Sequence, residues 1–206
     1  MSQPVADEVL LDPLRRPDPD SLHRLQERLA RAAADEGLLD IAYRTVDTPV
    51  GTLLLAATAR GLARVAYARE NHDLVLADLA ARISPRILRA PARLEPVVRE
   101  LDEYFAGHRR QFDLPLDLSL AAGFRREVLA HLPEVSYGTT ASYTALALRS
   151  GRPRAVRAAA SACARNPLPV VLPCHRIVRS DQTLGGYVGG VDAKQTLLTL
   201  ETAGSR

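Results

Sequence analysis

Residues 166–178 read Asn-Pro-Leu-Pro-Val-Val-Leu-Pro-Cys-His-Arg-Ile-Val, an apolar run that delivers a cysteine, Cys174, between Pro173 and His175. A free thiol titrates near pH 8.5, and only the thiolate attacks carbon efficiently, so a nucleophilic cysteine needs an adjacent base or cation. His175 is next in the chain, but neighbours on an extended strand point to opposite faces. Contact between imidazole and sulfur therefore requires a bridging water or a tight turn after Pro173. A third group would orient the histidine, and Glu201 is the best candidate downstream. These residues alone leave catalysis competing with a plainer assignment, because a cysteine in an apolar run is most often a buried small hydrophobe.

Composition narrows the setting. With 206 residues, 47% of them hydrophobic, the chain can bury one ordinary core or two small ones. It contains no uninterrupted apolar run of membrane-spanning length. Asp7 and Glu8 stand where a secretory signal would need a basic start and an apolar stretch, which predicts a cytoplasmic protein. The two cysteines, Cys163 and Cys174, cannot build a disulfide framework or a cysteine-rich zinc site, so neither metal nor cofactor is expected. Net charge is +3 but unevenly placed: Arg149, Arg152, Arg154, Arg157, Arg165, Arg176 and Arg179 fall in one stretch without a carboxylate. Such a stretch suits phosphate contacts, and equally a solvated face.

Three segments must position these groups. Residues 1–38 read as an N-terminal helical extension, with Ser21 capping a helix to about Ala34. Its apolar stripe, Leu22, Leu25, Leu29 and Ala33, is predicted to pack on the main body. Residues 39–120 form a small mixed domain. Short strands over 41–46, 51–58 and 62–67 suggest an antiparallel meander, followed by a helix over 72–83 and another ending at Gly107. No active group is evident there; His72, His108 and the scattered carboxylates read as surface.

Residues 121–206 are helical. Phe124, Val128, Leu129 and Leu132 make one amphipathic stripe, stopped by Pro133. After a Tyr137-Gly138 turn, Ser142 starts a helix through Leu148. Pro153, past a break at Ser150-Gly151, is placed for the first turn of another helix reaching about Ala164. Two short helices about a glycine turn are similar to a helix-turn-helix, although many helical hairpins bind nothing. The second helix is rich in alanine, which serves close packing on one face and close approach to a nucleic-acid strand on another.

Pro173-Cys174-His175-Arg176, preceded at fixed spacing by Asn166-Pro167, resembles the signature of the O6-alkylguanine-DNA alkyltransferases (methylated-DNA–protein-cysteine methyltransferases). The likeness extends upstream through Pro133, Tyr137-Gly138, Thr140, Ser142-Tyr143 and Arg157. Downstream it runs through Gly185, Tyr187, Gly189-Gly190, Lys194, Leu197-Leu198 and Glu201. It is strong over 124–201, loose over 41–118 and absent from the first 38 residues. The resemblance implies an α/β plus α architecture: an N-terminal ribonuclease-H-like small mixed-sheet domain, then a helical domain with the helix-turn-helix and the cysteine. It implies direct reversal of DNA damage, by single-use transfer of an alkyl group, chiefly methyl, from guanine O6 to Cys174; thymine O4 is a second candidate. The partner is then double-stranded DNA, bound in the minor groove by a monomer, with the lesion flipped out and cooperation between copies left open.

The same resemblance assigns roles. Cys174 attacks, His175 takes the thiol proton through water, and Glu201 holds the imidazole. Tyr143 donates its hydroxyl to the guanine ring, and Asn166 braces the turn that carries the nucleophile. Arg157 fills the gap left by the flipped base, while Arg154, Ala158, Arg165 and Arg176 meet DNA. Tyr187, Val188, Gly189, Ile177 and Cys163 line the pocket; a backbone N–H at Val188 faces O6. Lys194 reads as structural or surface. Val188 stands where many relatives carry serine, and Ala160 and Ser161 replace glycines of some relatives. Two rival functions are a non-catalytic recogniser of alkylated DNA or transcription regulator, which would lack the acceptor cysteine or add a metal-binding module, and a cysteine hydrolase. The hydrolase leaves Arg157 and the arginine stretch unexplained.

Overall fold

The computed structural model describes residues 18–204. It opens with α1 (Pro19–Asp35), and the Asp18 carboxylate accepts hydrogen bonds from Ser21 N at 3.1 Å and Ser21 Oγ at 2.9 Å. Asp18 thus caps the helix, three residues ahead of the expected cap at Ser21. The expected packing stripe is also corrected. Leu22, Leu25 and Leu29 are exposed, and the helix meets the body through Ala30 and Ala33, which pack with Leu39, Ala42, Ala90 and Leu88. Small side chains let the C-terminal half of α1 approach the sheet edge closely, which leaves the leucines outside.

The sheet contains β1 (Ile41–Val46), β2 (Leu53–Thr58), β3 (Gly61–Tyr67) and β4 (Ile87–Arg89) in the order β3-β2-β1-β4. The first three form the expected antiparallel meander, with Ala42 opposite Ala57 and Leu54 opposite Ala66. The short β4 pairs parallel to β1, Ile41 opposite Ile87, and makes the sheet mixed. Alternation along β2 explains how the sheet is covered. Leu54 and Ala56 pack with Val75 and Leu79 of α2 (His72–Arg82), whereas Leu53 and Leu55 join Val97, Leu101 and Tyr104 of α3 (Glu95–Phe105). Gly61, at φ +135°, starts β3 against the Pro115 carbonyl. A Cβ there would lie 2.1 Å from the carbonyl oxygen, so no side chain fits.

The remainder comprises α4 (Phe124–Ala130), β5 (Ala141–Ser142), α5 (Tyr143–Arg149), α6 (Val156–Ala164), β6 (Ile177–Val178) and α7 (Val191–Ala203). Ser142 caps α5 as expected, its hydroxyl accepting from Ala145 N at 3.1 Å. The next helix begins at Val156 rather than at Pro153. Gly151 takes φ +71°, and residues 151–155 form the connecting turn, so Pro153 lies outside the helix. The main core is continuous: Leu53, Val65, Leu94 and Tyr104 pack in one cluster with Val128, Leu146, Ala159, Leu172 and Leu197. No described helix is long and apolar enough to cross a membrane.

Candidate active site

A two-residue parallel ladder organises the chemistry. β5 pairs with β6, Ala141 opposite Ile177 and Ser142 opposite Val178. This sets Tyr143, the first residue of α5, beside the chain that has just left a single 3-10 turn at Cys174–Arg176. Residues 174–176 are not extended, so the opposite-face rule for strand neighbours does not apply to Cys174 and His175. Ahead of it, Val170 adopts φ +72°, a conformation unfavourable for a β-branched residue, between Pro169 and the apolar run to Pro173. Asn166 holds this segment in shape. Its Nδ2 donates to Leu172 O at 2.8 Å and to Cys174 Sγ at 3.2 Å, while Oδ1 accepts from Leu168 N at 3.0 Å.

Cys174 is 2% exposed. Burial pushes its thiol up to about 11, against the opposing pull of the Asn166 donor and the Lys194 charge. The resting group is therefore a thiol that needs an acceptor for its proton. His175, fully buried, has Nε2 2.8 Å from Glu201 Oε1, and its Nδ1 has no partner among the described residues. The network assigns the proton to Nε2, facing the carboxylate, and leaves Nδ1 as a free lone pair. Burial holds the imidazole below its ordinary pKa although Glu201 pulls the other way, so it rests neutral and able to accept.

Glu201 is the hub. Besides His175 it accepts from Arg176 Nε and Nη2, both at 2.9 Å, from Tyr104 Oη at 2.7 Å and from Gly138 N at 3.1 Å. Burial alone would raise its pKa; the His175 and Arg176 donors outweigh that and hold it at about 2. Arg176 is itself buried and donates also to Val135 O at 2.7 Å. Its expected place on the DNA face is corrected: a guanidinium committed to an interior carboxylate cannot reach a phosphate.

Both buried groups link stability to pH. Glu201 titrates lower in the folded protein than in the open chain, so its contribution is complete above about 4.5 and vanishes as pH falls towards 2. His175 is likewise depressed, and its contribution fades as pH falls below the ordinary value of 6.5. Urea midpoints measured from pH 8 to pH 3 are expected to fall first below 6.5 and again below 4.5. A flat profile across both windows would contradict the assignments.

Aromatic side chains surround the sulfur. Tyr187 Oη lies 3.0 Å from Tyr67 Oη, and its ring stands edge-on to His175 with centroids 6.3 Å apart. Gly189 packs flat on Tyr67, where a Cβ would sit 2.5 Å from the ring. Burial and the nearby Cys163 and Cys174 sulfurs push the Tyr143 hydroxyl up to about 12, so it stays a donor at neutral pH. Gly185 of the 184–190 segment faces that hydroxyl; a Cβ there would come within 3.3 Å of it. Lys194 is buried, donating to Ile177 O at 2.6 Å and to Leu184 O, which makes it an internal tie and not a surface charge. Ile177 and Cys163 are buried and Val188 half-buried.

Tyr67 and Tyr104, from β3 and α3, escaped sequence reasoning. Each is a tyrosine at an apolar position of its element, and only tertiary packing brings its hydroxyl to the site. Arg154, Arg157, Ala158 and Arg165 form a separate exposed group on α6 and its flanks, while Ala159, Ala162 and Cys163 turn inward. Arg149 and Arg152 lie 4.0 and 3.5 Å from the upstream carboxylates of Glu134 and Glu127. Arg154, Arg157 and Arg165 have no such partner among the described residues. Nor do any three His, Cys, Asp or Glu side chains among those residues gather as metal ligands.

Residues 41–118 match the family model described as 6-O-methylguanine DNA methyltransferase, ribonuclease-like domain, and residues 123–203 the corresponding DNA binding domain. The methylated-DNA–protein-cysteine methyltransferase of Mycolicibacterium paratuberculosis is 37% identical over 78% of this chain and 92% of its own length. That of Methanosarcina barkeri is 34% identical over 77% and 96%. The crystal structure of Mycobacterium tuberculosis OGT in complex with DNA superposes with a TM-score of 0.70 at 33% identity, covering 79% of this chain and 94% of that one. The chain belongs to the methylated-DNA–protein-cysteine methyltransferase family.

Proposed function

We propose that this chain repairs DNA by taking an alkyl group, chiefly methyl, from O6 of guanine onto Cys174, each molecule acting once, as a monomer in the cytoplasm. Thymine O4 presents a comparable ether and is a second candidate lesion. In this reading 121–206 supplies the acceptor and the DNA face, 39–120 is the ribonuclease-H-like domain, and 1–38 is an extension. The observation that carries it is a buried thiol followed by an imidazole whose Nε2 is held by Glu201 and whose Nδ1 is unpartnered. The thiol proton passes to Nδ1 through one water. Sulfur attacks the alkyl carbon in line, the S–C bond forms as the C–O6 bond breaks, and the electron pair goes to guanine. Tyr143 donates to the ring as negative charge develops, and the proton lost by sulfur is finally matched by one gained by guanine. Asn166 braces the nucleophile's turn, and Tyr187, Val188, Gly189, Ile177 and Cys163 enclose the base. Because the sulfur is covered, the 184–190 segment must shift to admit it.

Mass analysis after incubation with duplex DNA containing O6-methylguanine tests this directly. One methyl is expected on the peptide bearing Cys174 and none elsewhere; an unmodified protein, or a methyl on Cys163, would overturn the proposal.

Arg157, exposed on the second residue of α6, stands in for the extruded base, with Arg154, Ala158 and Arg165 against the backbone. Flipping costs a few kcal/mol, so Arg157→Ala is expected to slow transfer from duplex about 100-fold while leaving reaction with free O6-benzylguanine within about 2-fold. Equal losses would contradict the flipping role.

Tyr104 positions Glu201 without touching substrate. Tyr104→Phe removes one donor, leaves the carboxylate a stronger partner for the imidazolium and so raises the His175 pKa. The acid limb of the rate–pH profile is expected to move up by about one unit, the worth of one hydrogen bond. An unmoved limb would assign Tyr104 to packing alone.

A further inference from the structure

A cleft of about 270 Å³ lies where the two halves of the chain meet, and four arginines line it: Arg64, Arg82, Arg125 and Arg165. Glu70 and Asp78 line it too, but each is engaged. Glu70 pairs with Arg64 and accepts from Tyr67 N at 2.8 Å, and Asp78 lies 3.1 Å from Arg82 Nη1. Arg125 reaches only the Leu120 carbonyl, which it shares with Arg82 Nη2 at 3.2 Å. The side chain of Arg165, exposed at the end of α6, has no hydrogen-bond or ion-pair partner among the described residues. Two guanidiniums without a carboxylate therefore face a third at close quarters, from α2, α4 and the end of α6. Burial and the charges of Arg165 and Arg82 push Arg125 below its ordinary pKa, which marks their mutual repulsion. An anion seated between them would relieve this repulsion, and guanidinium forks match phosphate oxygens in pairs.

We propose that this cleft is a second phosphate site, bridging the two halves of the chain, which grips a backbone phosphate of the duplex that lies on α6. The proposal rests on the DNA-repair reading above and extends its footprint to Arg82 and Arg125, which lie outside the helix-turn-helix. A duplex is favoured over a free anion by position. Arg157 is the second residue of α6 and Arg165 caps its C-terminus, about 12 Å further along the axis at 1.5 Å per residue, so one backbone can span both.

The test is the salt dependence of binding to fluorescent, lesion-free duplex, read by anisotropy. Each phosphate contact contributes about 0.9 to the slope of log K against log salt. Arg82→Gln/Arg125→Gln is expected to reduce that slope by about 0.9, the worth of the one phosphate, and Arg125→Gln by a part of it, whereas Arg125→Lys keeps it. Reaction of each variant with free O6-benzylguanine is expected to be unchanged, which certifies the fold. Should Arg125→Gln fail that check, Arg82→Gln carries the same test alone, since its guanidinium is half exposed. A wild-type slope in the double variant overturns the site. So does inorganic phosphate that raises the melting temperature of wild type but not of Arg125→Gln while the DNA slope stays fixed, because the occupant is then a free anion. A wild-type protein that neither binds duplex nor takes methyl from it overturns the repair reading instead.

Discussion

Cys174→Ser is expected to leave a folded, DNA-binding protein that transfers no measurable alkyl group. The substitution is nearly isosteric, and Asn166 Nδ2 can donate to oxygen as it does to sulfur, so melting should shift by only a few degrees. Chemistry is another matter. A hydroxyl ionises far above even the elevated thiol, and a neutral, buried His175 is too weak a base to take its proton. Displacement at an alkyl carbon also passes through no tetrahedral oxyanion, so backbone donors cannot rescue a poor nucleophile as they do in acyl transfer. Mass analysis and anisotropy on one preparation read both halves of the expectation. Transfer by the serine variant at the wild-type rate would place the acceptor elsewhere.

Glu201→Gln is expected to lose both stability and rate. The amide keeps the shape but not the charge, and it strands the Arg176 guanidinium in the interior; breaking such a pair typically costs about 3–5 kcal/mol. For a chain of this size that is a fall of roughly 10 °C in melting temperature. Transfer should slow by at least about 100-fold, since the imidazole loses the partner that fixes its tautomer and stabilises its charged form. A second substitution separates the effects. Glu201→Leu/Arg176→Met removes both charges, and is expected to recover most of the stability but none of the rate. Recovery of transfer in the double variant would show that the carboxylate serves only to neutralise Arg176.

Local signals carried most of the fold. The meander is legible because β1, β2 and β3 are joined by short turns, at Pro49-Val50 and Ala59-Arg60, and α5 because Ser142 can cap it. β4 was missed because three residues cannot show a period, and its parallel partner is more than forty residues away. The leucine stripe of α1 misled for a related reason: periodicity finds a face but not its neighbour, and here alanines make the contact. In the site, Cys174, His175 and Glu201 were visible through one motif and its downstream glutamate. Arg176 was misplaced because charge in a sequence suggests surface, whereas an interior carboxylate can claim it. Tyr67 and Tyr104 were silent, since only the continuous core joins the first half of the chain to the second.

Lys194 is the sole lysine of the chain, and its ammonium bridges the carbonyls of Ile177, just past the nucleophile's turn, and Leu184, at the root of the loop over the sulfur. Amine-directed acylation therefore finds its single side-chain target locked beneath that loop. The pace at which such a reagent marks Lys194 becomes a clock for the loop's opening, readable on the native, unlabelled protein.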